Sequence, residues 1–166
     1  YAVDRAYLNA LRNGTTVMPD QETQAALAAL KPGQRSAYEM ALAEGCAAND
    51  DLEGCIQALE RATDFALNPS TPEACFEAVC KRLELLSMIG QRTQVRRSLD
   101  QLETLAPKLH SPFYDARLLL ARADYRAPVD IKPALSDYME ADRLFQAYGY
   151  PHWAERAINR RERLMQ

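Results

Sequence analysis

The stretch DDLEGCIQALERATDFAL, residues 50–67, carries apolar side chains at Leu52, Cys55, Ile56, Leu59, Ala62 and Ala66. Steps of three and four residues put these groups on one face of a helix, and no alternating pattern competes with that reading. Asp50 and Glu53 stand three apart immediately ahead of the face, which is the spacing of a capping box. A helix over Leu52 to Leu67 is therefore expected. Working outward, Pro19, Pro72, Pro112 and Pro151 each precede a segment of the same periodicity, as first-turn prolines do. Thr71 and Ser111 are placed to cap two of these helices, while Pro32 and Pro107 are read as helix closers. Ala, Leu, Arg, Glu and Gln dominate every periodic window and β-branched residues are scattered. The chain reads as all-α, with nine helices near Ala2 to Asn13, Asp20 to Lys31, Arg35 to Ala48, Leu52 to Leu67, Glu73 to Ile89, Thr93 to Ala106, Phe113 to Arg126, Ile131 to Tyr148 and His152 to Leu164.

The pattern repeats. Cys55, Leu59 and Ala62 recur as Val95, Leu99 and Leu102 after 40 residues, and as Ala134, Tyr138 and Ala141 after a further 39. Gln21, Ala25 and Ala28 stand 34 residues before the first triplet. A helical hairpin recurring at this period cannot cover its own apolar face, so stacked neighbours must supply the core.

On these residues the chain resembles the tetratricopeptide repeat family. That pattern wants a small residue where the second helix meets the first, a large apolar residue one turn on, another small one, and a closing proline. Cys55, Leu59 and Ala62 with Leu42 and Ala43 fit it, as do Gly90, Val95, Leu99 and Pro107, and then Ala134, Tyr138 and Ala141. The resemblance implies one right-handed α-solenoid domain over 1–166: a divergent hairpin at 1–34, three helix pairs at 35–148 and a capping helix at 151–164. The segment ADRLFQAYGYPHWAER, Ala141 to Arg156, is similar to the closing segment of helical-repeat regions in bacterial transcription activators and nucleotide cyclases that carry a signalling ATPase. This likeness implies the sensing or partner-binding part of a larger regulator.

Composition narrows the function classes. Among 166 residues, 48% are hydrophobic and 26% charged, which argues against disorder, and no apolar run nears the roughly 18 residues of a membrane span. A net charge of −3 lacks the basic excess that binding a phosphate backbone needs, so neither nucleic acid nor membrane is expected as a partner. Tyr1 opens the chain without a leader-like segment, so it reads as a mature product or an excised piece. Sixteen arginines against four lysines suit a GC-rich bacterial genome. Four cysteines favour a reducing compartment, hence the cytoplasm, although Cys46 and Cys55 flank a tight turn and leave an exported location open.

Catalytic, cofactor and metal sites have no visible address. Cys46, Cys55, Cys75 and Cys80 lack the C-x2-C pairs of zinc sites, and Cys75 and Cys80 differ by about 140° around one helix. Small buried thiols filling helix contacts are the favoured reading. His110 and His152 sit at turns without an orienting partner, and no phosphate-binding glycine loop is present. Arg156, Arg160, Arg161 and Arg163 form one basic cluster on the last helix, readable as a docking surface, a hinge to a following domain or a solvated capping face. Trp153 is expected to pack on Phe145 or Tyr148, or to anchor a partner.

If the hairpins coil as the resemblance implies, first helices line the concave face. Met40, Glu44, Glu77, Glu84, Met88, Asp115, Arg122, Tyr125 and Arg126 are then the residues offered to a protein or peptide partner, or to other domains of the same chain. The expected function is a non-enzymatic interaction or sensor scaffold without cofactor. The alternative is a small-molecule sensor using Arg122, Tyr125 and Arg126 that controls a linked ATPase, cyclase or DNA-binding domain. A first helix without a partner also allows a homo-oligomer.

Overall fold

The structure, a computed structural model, describes residues 21–67 and 71–166, with the side chains at 22, 23, 66 and 67 left aside. The helix expected near Ala2 to Asn13 and the role given to Pro19 lie outside these residues. Those described form eight α-helices and no strand: α1 Gln21–Ala28, α2 Pro32–Ala48, α3 Leu52–Leu67, α4 Pro72–Met88, α5 Arg92–Leu109, α6 Pro112–Arg126, α7 Ile131–Ala147 and α8 Pro151–Leu164. The all-α reading is correct, and eight of the nine expected helices stand within three residues of their expected starts and ends.

Turns are built alike. After α2, α4 and α7 a backbone N–H reaches back five residues, from Asp51 to the Cys46 carbonyl at 2.9 Å, from Gln91 to Leu86 at 2.9 Å and from Tyr150 to Phe145 at 2.8 Å. The residue before each donor, Asp50, Gly90 or Gly149, takes positive φ (59°, 74° and 80°), as this helix-ending motif requires. Asp50 and Gly90 stand 40 residues apart, so the sequence period returns as a repeated turn.

Some punctuation differs from expectation. Asp50 is consumed by the turn, and it is Asp51 whose carboxylate accepts the Gly54 N–H at 2.9 Å and caps α3. Pro32 opens α2 instead of closing the helix before it, because its fixed φ and missing donor fit a first helical turn. Pro107 lies inside the last turn of α5, which continues to Leu109. Thr71 does cap α4, its Oγ1 accepting the Ala74 N–H at 3.3 Å, whereas Ser111 at the start of α6 makes no side-chain cap bond.

The helices gather into two compact units, the first running to Gln91 and the second covering Arg92–Gln166. The boundary falls at the turn which the repeat alignment placed inside one helix pair. In the first unit α3 packs on α2 and α4. Ala43, Cys46, Cys55, Ala58, Leu59 and Ala62 are all but fully buried, so small side chains let α2 and α3 approach closely. Ser36 Oγ donates to the Ala62 carbonyl at 2.8 Å across that contact. All four cysteines are buried thiols and none is in a disulfide. Burial pushes the Cys46 thiol up to about 11, aided by the Asp51 charge, which suits a packing residue and not a nucleophile.

In the second unit α7 lies between α6 and α8, around Ala116, Leu120, Ala123, Ala134, Tyr138, Ala141, Phe145, Ala154 and Ala157. Alanines face one another on all three helices, and Phe145 fills the space they leave. No helix among the described residues is long and apolar enough to cross a membrane.

Candidate functional site

The residues expected to line a groove fall into distinct environments. Met40 is buried and belongs to the core, a correction that follows from α2 packing on both α3 and α4. Glu44 is half-buried and pairs with Lys81 at 2.6 Å. Glu77 is exposed, Glu84 half-buried and Met88 77% exposed on α4. Asp115 is exposed on α6. Arg122, Tyr125 and Arg126 do not turn away from the neighbouring helix as expected. Arg122 donates to Asp137 of α7 through Nε at 3.0 Å and Nη2 at 2.7 Å, and Arg126 Nη1 donates to the same carboxylate at 2.8 Å. Tyr125 lies under the guanidinium of Arg92, 5.0 Å from its ring centre.

Asp137 was missed in the sequence although it stands within the apolar stripe of α7, between Ala134 and Ala141; it is buried and takes three charge-assisted hydrogen bonds from α6. Its bonds hold the Arg122 guanidinium above its ordinary pKa. The first unit has a parallel in Glu39, buried between Arg35 at 3.1 Å and Arg61 at 3.0 Å. The one available signal was arginine placed four residues from Glu39 in the same helix, and arginines four apart at 122 and 126. Arg35 also lies over the Tyr38 and Phe65 rings and borders an open cleft of about 430 Å³ with Leu27, Leu30 and Pro32.

The aromatic end of the second unit positions the basic cluster. Trp153 stacks on Phe145 with ring centres 5.8 Å apart, the first of its two expected contacts, while Tyr148 is exposed. The buried guanidinium of Arg117 lies 4.1 Å from the indole centre and that of Arg156 5.0 Å. One turn further, Arg160 pairs with Asp124 of α6, whose other oxygen accepts the Tyr138 hydroxyl at 2.7 Å. Two arginines of α8 are thus held in place from below, by an indole and by a carboxylate. Between them opens a shallow cleft of about 370 Å³, lined by His152, Glu155, Arg156, Asn159, Arg160 and Arg163. All six project from one side of α8, and all but Glu155 are cationic or amide groups or a histidine. Such a surface presents hydrogen-bond donors and positive charge to solvent; among the described residues no group of acids, histidines and cysteines is arranged to hold a metal.

Tyr138 is sensitive to base. Burial pushes its phenol up to about 12 from 10.0, so the protonated form is the one the fold retains. The stability this contributes is present in full below pH 10 and is lost as pH rises to about 12, since only the unfolded chain releases the proton in that interval. Tyr138→Phe is expected to flatten that part of the alkaline stability profile, measured as urea midpoint against pH. An unchanged slope between wild type and variant would place the loss in another group.

No family model, curated protein or solved structure matches this chain.

Proposed function

We propose that the chain is a non-enzymatic protein-interaction scaffold, a sensing or partner-binding part of a larger bacterial regulatory protein in the cytoplasm, and that its basic α8 face receives an acidic partner segment. The observation that carries this reading is the α8 cleft, where Arg156 and Arg160 are fixed by Trp153 and Asp124 beside the exposed Arg163. Guanidinia already ordered lose less conformational entropy on binding than flexible ones, so affinity for carboxylates is gained without a deep pocket. The helical-repeat likeness supports a scaffold role for the chain as a whole. The small-molecule alternative would use Arg122, Tyr125 and Arg126, two of which are engaged with Asp137.

Trp153 is the single tryptophan and lies under Arg156, so its fluorescence reports on the cleft. Titration with a helical peptide rich in Glu and Asp is expected to change its emission saturably. Arg163→Glu should weaken that binding about tenfold, equivalent to about 1.4 kcal/mol. Emission that does not respond to the peptide, or an unaltered titration in the variant, removes the α8 face as the binding surface.

A further inference from the structure

We infer that the α8 face docks onto the α3 face of a second copy of this chain, so that the protein associates with itself through unlike, oppositely charged surfaces. This rests on the reading of α8 as an acid-binding face and names its occupant. The charges are unevenly divided between the units. Up to Gln91 the chain has seven basic and 13 acidic residues, a net charge of −6; from Arg92 it has 13 basic and ten acidic, a net charge of +3. Two copies therefore attract when the first unit of one meets the second unit of the other, and repel when two first units meet.

The local pattern is more specific than the totals. Glu53, Gln57, Glu60 and Asp64 lie along one exposed side of α3, at steps of four, three and four residues. His152, Arg156, Asn159 and Arg163 follow the same steps along α8, with Arg160 beside Asn159. Each row spans 12 residues, or 11 steps of about 1.5 Å and so about 17 Å of helix, and the two match in length as well as in spacing. Rows at this spacing meet along their whole length when two helices pack side by side. Gln57 Nε2 donates to Glu53 Oε1 at 3.2 Å, which places an amide and a carboxylate together opposite any guanidinium that arrives. The α3 row has no cation among its four members, although Arg82 of α4 lies near Glu60 and Asp64, and the α8 row has two exposed acid neighbours, Glu155 and Glu162. The central charges of α6 and α7 offer no such counterpart, since they are used on each other through Asp137 and Asp124.

Solvent-exposed pairs contribute little individually, so the contact is weak, with dissociation on the order of 100 µM at low salt. Because it joins unlike surfaces it is heterologous, and mass rises with concentration beyond a single fixed step unless a ring closes.

The test uses the full chain in sedimentation or light scattering across a concentration series. Wild type is expected to gain mass with concentration in low salt and to lose association at least about tenfold in 1 M salt, where screening reaches about 3 Å. His152→Glu with Arg163→Glu should be monomeric, as should Glu53→Arg with Glu60→Arg, both with unchanged helical circular dichroism. Mixed in equal amounts, the two variants should associate again, because each supplies the charge the other has reversed. Should either double variant fail to fold, the single changes Arg163→Glu and Glu60→Arg replace it in the same mixing measurement. Wild type that stays monomeric through millimolar concentration overturns the self-association, as does a mixture that stays monomeric. An acidic peptide that still binds α8 in that case shows a different acidic partner and leaves the proposed function standing; loss of both disposes of the two together.

Discussion

Phe145→Ala is expected to cost the second unit about 3–5 kcal/mol, more than any other single truncation among its side chains. Phe145 is fully buried, stacks on Trp153 and stands 6.1 Å from Phe113, while the positions around it on α6, α7 and α8 are mostly alanine. Alanines have no side-chain length with which to collapse into the vacancy, so the cavity remains and its lining loses contacts outright. A loss of that size is a large part of the roughly 5–15 kcal/mol that holds a domain folded. Urea unfolding followed by Trp153 fluorescence reads this unit directly, since the chain has one tryptophan and it lies against Phe145. Tyr148→Ala, three residues on and 57% exposed, should stay within about 0.5 kcal/mol of wild type. Equal midpoints for the two variants would contradict the packing described for α7.

Removing the Asp137 carboxylate is the second large effect. Asp137→Ala takes away three hydrogen bonds and leaves Arg122 and Arg126 facing the side of α7 without an anion. Breaking one side of a buried ion pair costs about 3–5 kcal/mol when the orphaned charge stays buried. Here the Arg122 and Arg126 side chains are 29% and 39% exposed, so both guanidinia can turn partly to water and the loss falls near the lower bound, about 3 kcal/mol. Asp137→Asn keeps the shape and one acceptor and should lose less than Asp137→Ala. Asp130→Ala, at an exposed position that makes no cap bond, serves as the control and should change the urea midpoint little. If Asp137→Ala matched that control, the two arginines would not depend on Asp137.

Much of the helix layout was legible because it depends on local chemistry. Leu52 to Leu67 is expected and observed with the same ends, since a proper apolar face and a nearby cap specify a helix without reference to the rest of the chain. Errors arose where one residue could serve either of two neighbouring helices. Pro32 is compatible with an ending or a beginning, and the Asn49 to Asp51 turn had two adjacent aspartates of which only one could cap. Gly90 and Gly149 do what glycine suggests, but Asp50 adopts the same left-handed geometry without being glycine.

The candidate site was less legible. Arg122 and Arg126 looked like groove residues because a charge on a helix looks exposed until its neighbour is known, and the buried acceptor was supplied by α7, 15 and 11 residues away. Met40 looked available for the same reason and is enclosed by helices on two sides.

Sequence alone determined that this chain is helical and where most of its helices run, because periodicity, capping and turn chemistry act over a few positions. Only the tertiary structure decided which charges are spent inside, on Glu39 and Asp137, and which stay at the surface of α3 and α8. Burial of a charge is a property of the helix packed against it, and a string of residues carries no record of which helix that will be.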